Sequence, residues 1–170
     1  MATITTCQIC ARAIQAKKGV IAHHGYRRPQ RHSGWQTSSC PGARSLPYEV
    51  SRDRLYQVIE GLRGTIETEE KELTRFLAEP PDSLSYRKHH YGASARNPYD
   101  LGELITVPRP ADFDRNGPSF QVRTYLGRSY EYLYAARERE LKESLKNHRF
   151  LAVELQARYD AWVPPAQEVK

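Results

Sequence analysis

The 170-residue sequence lacks the features that mark several common functional classes. It has no glycine-rich phosphate loop, no paired carboxylates with a matched base, and no nucleophile–histidine–acid set. No apolar run is long enough to cross a bilayer, and the first residues lack the apolar core of a secretory signal. We therefore expect a non-enzymatic protein of the cytoplasm that does not enter a membrane.

Acidic residues are missing from positions 1–48, which contain seven Lys and Arg residues. The other 122 positions carry 19 basic and 20 acidic residues, so the net charge of +6 lies on the first segment. A compact cationic segment beside a neutral remainder is typical of phosphate binding. It predicts contact with nucleic acid or with a protein complex that carries nucleic acid. A merely solvated basic surface and an acidic protein partner are the alternatives.

Cysteine is scarce, and all three cysteines lie in the first forty residues. Cys7 and Cys10 have the C-x-x-C spacing with which two thiolates bind one ion from a tight turn. His24 and Cys40 supply a third and a fourth ligand, so the sequence predicts a closed, structural Cys₃His site for Zn²⁺. In a strand over 20–26 His23 and His24 would face opposite ways, so we expect only one of them to bind the ion. His24 is the predicted ligand, and His23 and His32 are the alternatives. A redox C-x-x-C pair and a free thiol are the other interpretations.

Basic and aromatic residues around these cysteines form the predicted contact surface. Lys17, Lys18 and Gly19 form the turn of a predicted β-hairpin, and a basic loop follows at 27–38. Trp35 either covers the metal or stacks on bases. The predicted contact residues for nucleic acid or a partner are Lys17, Lys18, Arg27, Arg28, Arg31 and Trp35.

Two long amphipathic segments follow the basic module of 1–48. Apolar residues at spacings of three and four predict one helix over 49–79 and a second over 129–164. Ser51 and Ser129 are candidate N-caps, and the prolines at 80–81 and 164–165 are stops. We expect the helices to pack antiparallel, like a coiled coil, within an α+β fold. Homodimerisation through the same seams is an alternative.

The segment between the helices, 80–128, is rich in proline and is predicted to be irregular with short β-strands. Alternating apolar residues favour strands over 104–107 and 120–126, which we expect to pair. Residues 165–170 are a short tail.

Part of the chain resembles a group of small zinc-binding proteins of bacterial phages, plasmids and integrated elements. The similarity is carried by Cys7-x-x-Cys10, His24-Gly25-Tyr26-x-Arg28-Pro29, Trp35, Cys40-x-Gly42 and the run 47–51. It covers about residues 7–52. The resemblance implies a mobile-element protein in the bacterial cytoplasm and supports His24 as the ligand.

A weaker resemblance is to zinc-containing HNH nucleases, in which a C-x-x-C turn precedes a hairpin that bears a catalytic Asp-His pair. Here His23 and His24 occupy that place, no matching Asn follows, and Cys40 stands alone where a second pair occurs. Three functions are thus expected: a nucleic-acid-binding module, an anti-defence inhibitor that binds a host complex through the zinc module and the helices, and a degenerate metal-dependent nuclease.

Overall fold

A computed structural model describes residues 3–25, 39–88, 103–117, 120 and 128–165. The chain divides into two compact units, Met1–Glu67 with Asn147–Lys170 and Thr68–Lys146. The elements in chain order are β1 (Thr3–Thr6), β2 (Ala13–Lys17), β3 (Val20–Ile21), α1 (Asp53–Ala78), β4 (Ser83–Lys88), β5 (Glu103–Pro108) and α2 (Tyr130–Asp160). Two long helices with small antiparallel sheets confirm the α+β fold class.

The first unit contains a three-stranded antiparallel sheet in the order β1-β2-β3. Thr3 pairs with Ala16, and Lys17 pairs with Val20 across the predicted turn. Lys18 and Gly19 have φ angles of 53° and 79°, the left-handed conformations that a two-residue hairpin turn requires. The sequence prediction did not include β1, although its run of β-branched residues favours a strand.

The strand expected over 20–26 was wrong in length, because β3 ends at Ile21. At the end of this strand, the backbone of Ile21 bonds to residues 44 and 45: its N–H donates to Ser45 O, and its carbonyl accepts from Arg44 N. Ala22 N still donates to Gln15 O, and His23 and His24 lie outside the strand. The face alternation that was predicted for a strand through His23 and His24 therefore does not apply.

The core of the first unit combines the cysteines with apolar residues of both helices. Its buried members are Cys7, Ile9, Cys10, Ile21, Cys40, Leu55, Ile59 and Leu155. The side chain of Ser51 accepts a hydrogen bond from Asp53 N at 3.0 Å, which confirms its role at the start of α1.

Residues just before α1 hold the end of α2 within the same unit. Tyr48 donates its hydroxyl to Arg158 O at 2.7 Å, and the Trp162 indole donates to Tyr48 O at 2.7 Å. Arg52 lies over the ring of Tyr159, 4.0 Å from its centroid, and donates to the Tyr159 carbonyl. These contacts join residues more than 100 positions apart in the sequence and hold the two parts of the first unit together.

In the second unit the two helices run antiparallel. Glu69 accepts from Ser144 at 2.7 Å, Glu72 pairs with Arg137 at 3.0 Å, and Phe76 stacks on Tyr134 with ring centroids 4.5 Å apart. Residue numbers in these contacts rise along α1 as they fall along α2, which shows the antiparallel direction. Polar residues on the facing sides of the two helices are thus paired with each other.

Aromatic residues and one half-buried carboxylate complete this unit. The ring of Phe113 is nearly perpendicular to that of Tyr130 and tilted against that of Tyr134, and burial raises the pKa of Tyr130 to about 12. Burial alone would raise the pKa of Glu138, but hydrogen bonds from Lys142 at 2.6 Å and Arg115 at 2.7 Å lower it below its ordinary value.

The strand predicted over 104–107 is confirmed as part of β5, whose partner is β4. The register runs from Ser83 opposite Pro108 to Lys88 opposite Glu103. The sequence prediction did not include β4. The strand expected over 120–126 lies outside the described residues except for Phe120. Ser129 caps α2 as predicted, because its hydroxyl accepts from Tyr132 N at 3.1 Å.

Candidate metal centre

A tight turn after β1 positions the first two cysteines. Cys7 N donates to Arg12 O at 3.0 Å, and Ala11 N donates back to Cys7 O at 3.1 Å. Ala11 closes the turn with a φ of 60°. The turn aims both sulfur atoms into the core, where Cys7 is 0% and Cys10 4% exposed.

Four side chains from three segments converge at this turn. The ligand atoms of Cys7, Cys10, His24 and Cys40 all lie within 4.8 Å of one another. Cys7 Sγ is 3.8 Å from Cys40 Sγ, and Cys10 Sγ is 3.4 Å from His24 Nε2. All three cysteines are free thiols, so the group could hold a metal ion.

His24 presents one defined nitrogen to the group. Its Nδ1–H donates to the Ala22 carbonyl at 2.8 Å, which leaves the Nε2 lone pair directed at the cysteines. His23 is exposed and is not among the clustered ligands, and His32 lies outside the described residues.

Arg12 supports the group from outside. Its Nε–H donates to Cys10 Sγ at 3.5 Å, and its terminal nitrogen donates to the Gly25 carbonyl. Gly25 also bridges Ser39, and Cys40 N donates to His24 O at 2.9 Å. One guanidinium thus ties the first turn to the segments that carry the other two ligands.

Hydrogen bonds join the three thiols. Those from the Cys40 and Cys7 thiols, assisted by Arg12, lower the pKa of the Cys10 thiol. Donation to the Cys10 sulfur raises the pKa values of Cys7 and Cys40, because each would lose that bond on ionising.

Because Gly42 has no side chain, the Cys7 sulfur can lie in the space that a Cβ at position 42 would need. A Cβ at this position would lie 2.5 Å from Cys7 Sγ and 3.2 Å from the Ile9 side chain. Both neighbours are buried, and neither can retreat without disturbing the core. A side chain at 42 is thus incompatible with the observed position of a candidate ligand.

Gln8, between the two cysteines, connects the group to α1. It is 1% exposed, and its Oε1 accepts from Arg54 N at 3.0 Å and Leu55 N at 3.2 Å. These N–H groups belong to the first turn of the helix, where no helical carbonyl is available to them. Its Nε2 donates to Leu46 O at 2.8 Å. A residue of the C-x-x-C turn thus caps a helix 46 positions away.

Of the predicted contact residues, Lys17 and Lys18 lie exposed at the hairpin turn. Arg27, Arg28, Arg31 and Trp35 lie outside the described residues. Sequence reasoning assigned no role to Gln8 or Gly42, and it counted Arg12 and Arg44 only as part of the basic excess. Only the Cys40-x-Gly42 pattern could have pointed to one of them.

No family model matches the chain, and no curated protein or solved structure shows significant similarity to it. The functional argument therefore depends on the residues themselves. Neither helix within the described residues combines the length and apolarity needed to cross a bilayer.

Proposed function

We propose that the four-ligand group is a structural Zn²⁺ site. With Zn–S bonds of about 2.3 Å and Zn–N of about 2.0 Å, tetrahedral geometry requires S···S distances of about 3.8 Å and S···N distances of about 3.5 Å. The distances from Cys7 to Cys40 and from Cys10 to His24, 3.8 Å and 3.4 Å, support this assignment. Thiolates with one imidazole also suit zinc better than Mg²⁺ or Ca²⁺, which prefer oxygen ligands.

The proposed zinc has a structural role because protein side chains fill all four positions. A catalytic zinc keeps one position for water or substrate, whereas this group is buried among Ile9, Ile21 and Leu55. His24 as a zinc ligand would not be available as the general base of an HNH-type nuclease. The proposal is thus a non-enzymatic binding protein, and zinc makes its N-terminal module rigid.

The partner that we propose is nucleic acid, or a host complex that contains it. The observation that carries this proposal is that the acid-free segment 1–48, of charge +7, contains all four residues of the Cys₃His group. Three thiolates and a neutral imidazole on Zn²⁺ sum to −1, which Arg12 beside Cys10 offsets. Of the other cations in the described part of this segment, Lys17, Lys18 and Arg44 are exposed to solvent, where they can contact phosphate.

The sequence resemblance suggests the setting of this activity. We propose a protein of a bacterial mobile element that acts in the cytoplasm of its host, where reducing conditions keep zinc-bound thiols reduced. An anti-defence role would use the same basic module against a host complex that carries nucleic acid.

The test is fluorescence anisotropy of zinc-loaded protein with labelled duplex DNA, single-stranded DNA and RNA at several salt concentrations. About six phosphate contacts predict a slope of log affinity against log salt of roughly −4 to −5. The binding variant replaces three loop cations with glutamine: Arg27, Arg28 and Arg31. The matched control removes the same charge from exposed helix positions: Arg75, Arg139 and Arg149.

We expect the loop variant to lose at least tenfold in affinity and the helix variant to lose less than twofold. Equal losses would show that only net charge matters, which would contradict a specific basic module. Absence of binding to all three nucleic acids, with retention of a host protein from nuclease-treated lysate, would favour the protein-inhibitor function instead.

A further inference from the structure

Two exposed basic residues of the first unit adopt a conformation that L-amino acids avoid. Lys18 has a φ of 53° and Arg44 a φ of 64°. In the left-handed region Cβ crowds the following carbonyl oxygen, so glycine or asparagine is the usual choice. The hairpin turn places glycine at 19 but keeps lysine at 18.

The two residues lie next to β3. Lys18 is in the β2–β3 turn, and Arg44 N donates to the carbonyl of Ile21, the last residue of β3. Lys17 pairs with Val20 on the adjacent strand. These bonds place Lys17 and Arg44 beside neighbouring residues of β3, Val20 and Ile21.

Other arginines near the metal group are already engaged. Arg12 donates to Cys10, Arg52 to the Tyr159 carbonyl and Arg54 to the Pro41 carbonyl. Within the described residues, the exposed side chains of Lys18 and Arg44 contact no acidic group and donate no hydrogen bond. They are cations without an internal structural role, held in conformations that glycine would adopt without crowding.

We propose that Lys18 and Arg44, together with Lys17, form an edge that binds the phosphodiester backbone of nucleic acid. This inference rests on the proposed nucleic-acid function and adds Arg44 to its contact residues. Contact is with phosphate, because lysine and arginine on a solvent-exposed turn neutralise charge without reading bases. The metal group fixes this edge, since Ala43 N donates to Cys40 O directly before Arg44.

The test separates stability from binding. Lys18→Gly and Arg44→Gly remove the cation and relieve the crowding, so each zinc-loaded variant should unfold at a urea concentration no lower than wild type. Each should lose about two- to tenfold in affinity at low salt, equally for unrelated sequences. The salt slope should become shallower by about 0.9 per lost contact on duplex DNA and by about 0.7 on a single strand.

Conservative and remote variants serve as controls. Arg44→Lys keeps the charge and should retain affinity, and Arg139→Gln removes one exposed charge from α2 and should bind as wild type. Duplex DNA, single-stranded DNA and RNA distinguish the sources of phosphate, and polyglutamate distinguishes phosphate from a carboxylate partner.

The outcomes separate this inference from the function on which it rests. If wild-type protein binds no nucleic acid, the proposed function fails. If wild type binds and both glycine variants bind equally well, the function stands and the phosphate-binding edge is overturned. A clear loss of stability in both variants, or equal binding of polyglutamate, would also overturn it.

Discussion

Replacing Gln8 by leucine should uncouple the metal-binding turn from the first helix. The change removes the acceptor of Arg54 N and Leu55 N and the donor to Leu46 O, at a site that is 1% exposed. Loss of an N-cap costs about 1 kcal/mol and up to about 2 kcal/mol. Loss of the hydrogen bond to the carbonyl of Leu46, an exposed residue, costs about 0.5–1.5 kcal/mol. The expected loss in free energy of unfolding is about 1.5–3.5 kcal/mol.

Urea denaturation of zinc-loaded protein measures this loss, and amide hydrogen exchange locates it. The Arg54 and Leu55 amides should exchange faster in Gln8→Leu than in wild type. Removal of the metal should speed exchange of the same two amides in wild type. It should change their exchange little in Gln8→Leu, because both perturbations remove the same cap from α1. The matched control is Gln15→Leu, which alters an exposed glutamine on β2. A stability change within about 0.5 kcal/mol of wild type for Gln8→Leu, with both amides still protected, would refute the reasoning.

Three further substitutions test the metal site and the second unit. Gly42→Ala places a methyl group 2.5 Å from a candidate ligand sulfur and should lower the free energy of unfolding by about 1–3 kcal/mol, measured by urea denaturation. The control Gly61→Ala, with no neighbour within 4 Å, should raise it by about 0.5–1 kcal/mol. Arg12→Gln should weaken zinc binding about 10- to 100-fold in chelator competition while the protein remains folded at saturating zinc. Glu138→Gln should destabilise at pH 7 by about 1–3 kcal/mol in urea denaturation. Because folding lowers the pKa of Glu138, its carboxylate contributes to stability above the ordinary pKa of 4.5, and this contribution is lost as the pH falls through the lowered pKa. The stabilities of wild type and variant should therefore converge in acid.

Local patterns in the sequence predicted the main parts of the fold. The spacing of apolar residues predicts two helices, and they form as Asp53–Ala78 and Tyr130–Asp160. The C-x-x-C spacing and the later His and Cys indicate the four residues that the structure brings together. These features depend on a few neighbouring residues, which is why the sequence alone shows them.

Features that depend on distant backbone were not predicted. Gln8 looks like a polar surface residue, yet it is buried because the start of α1 needs an acceptor. The strand after Val20 is short, and Ile21 at its end bonds to Arg44 and Ser45. Arg12 appears in the sequence as surplus charge, although its guanidinium donates to the Gly25 carbonyl. In each case the partner lies too far along the chain for spacing to indicate it.

The central claim is that Cys7, Cys10, His24 and Cys40 together hold one zinc ion. X-ray absorption at the zinc edge of purified, chelator-untreated protein tests it most directly. We predict one zinc per chain with three sulfur ligands at about 2.3 Å and one nitrogen at about 2.0 Å. In His24→Ala the nitrogen should be lost or replaced by oxygen, and in His23→Ala the spectrum should be unchanged. A site with two sulfur ligands, or no stoichiometric metal in well-folded protein, would contradict the account.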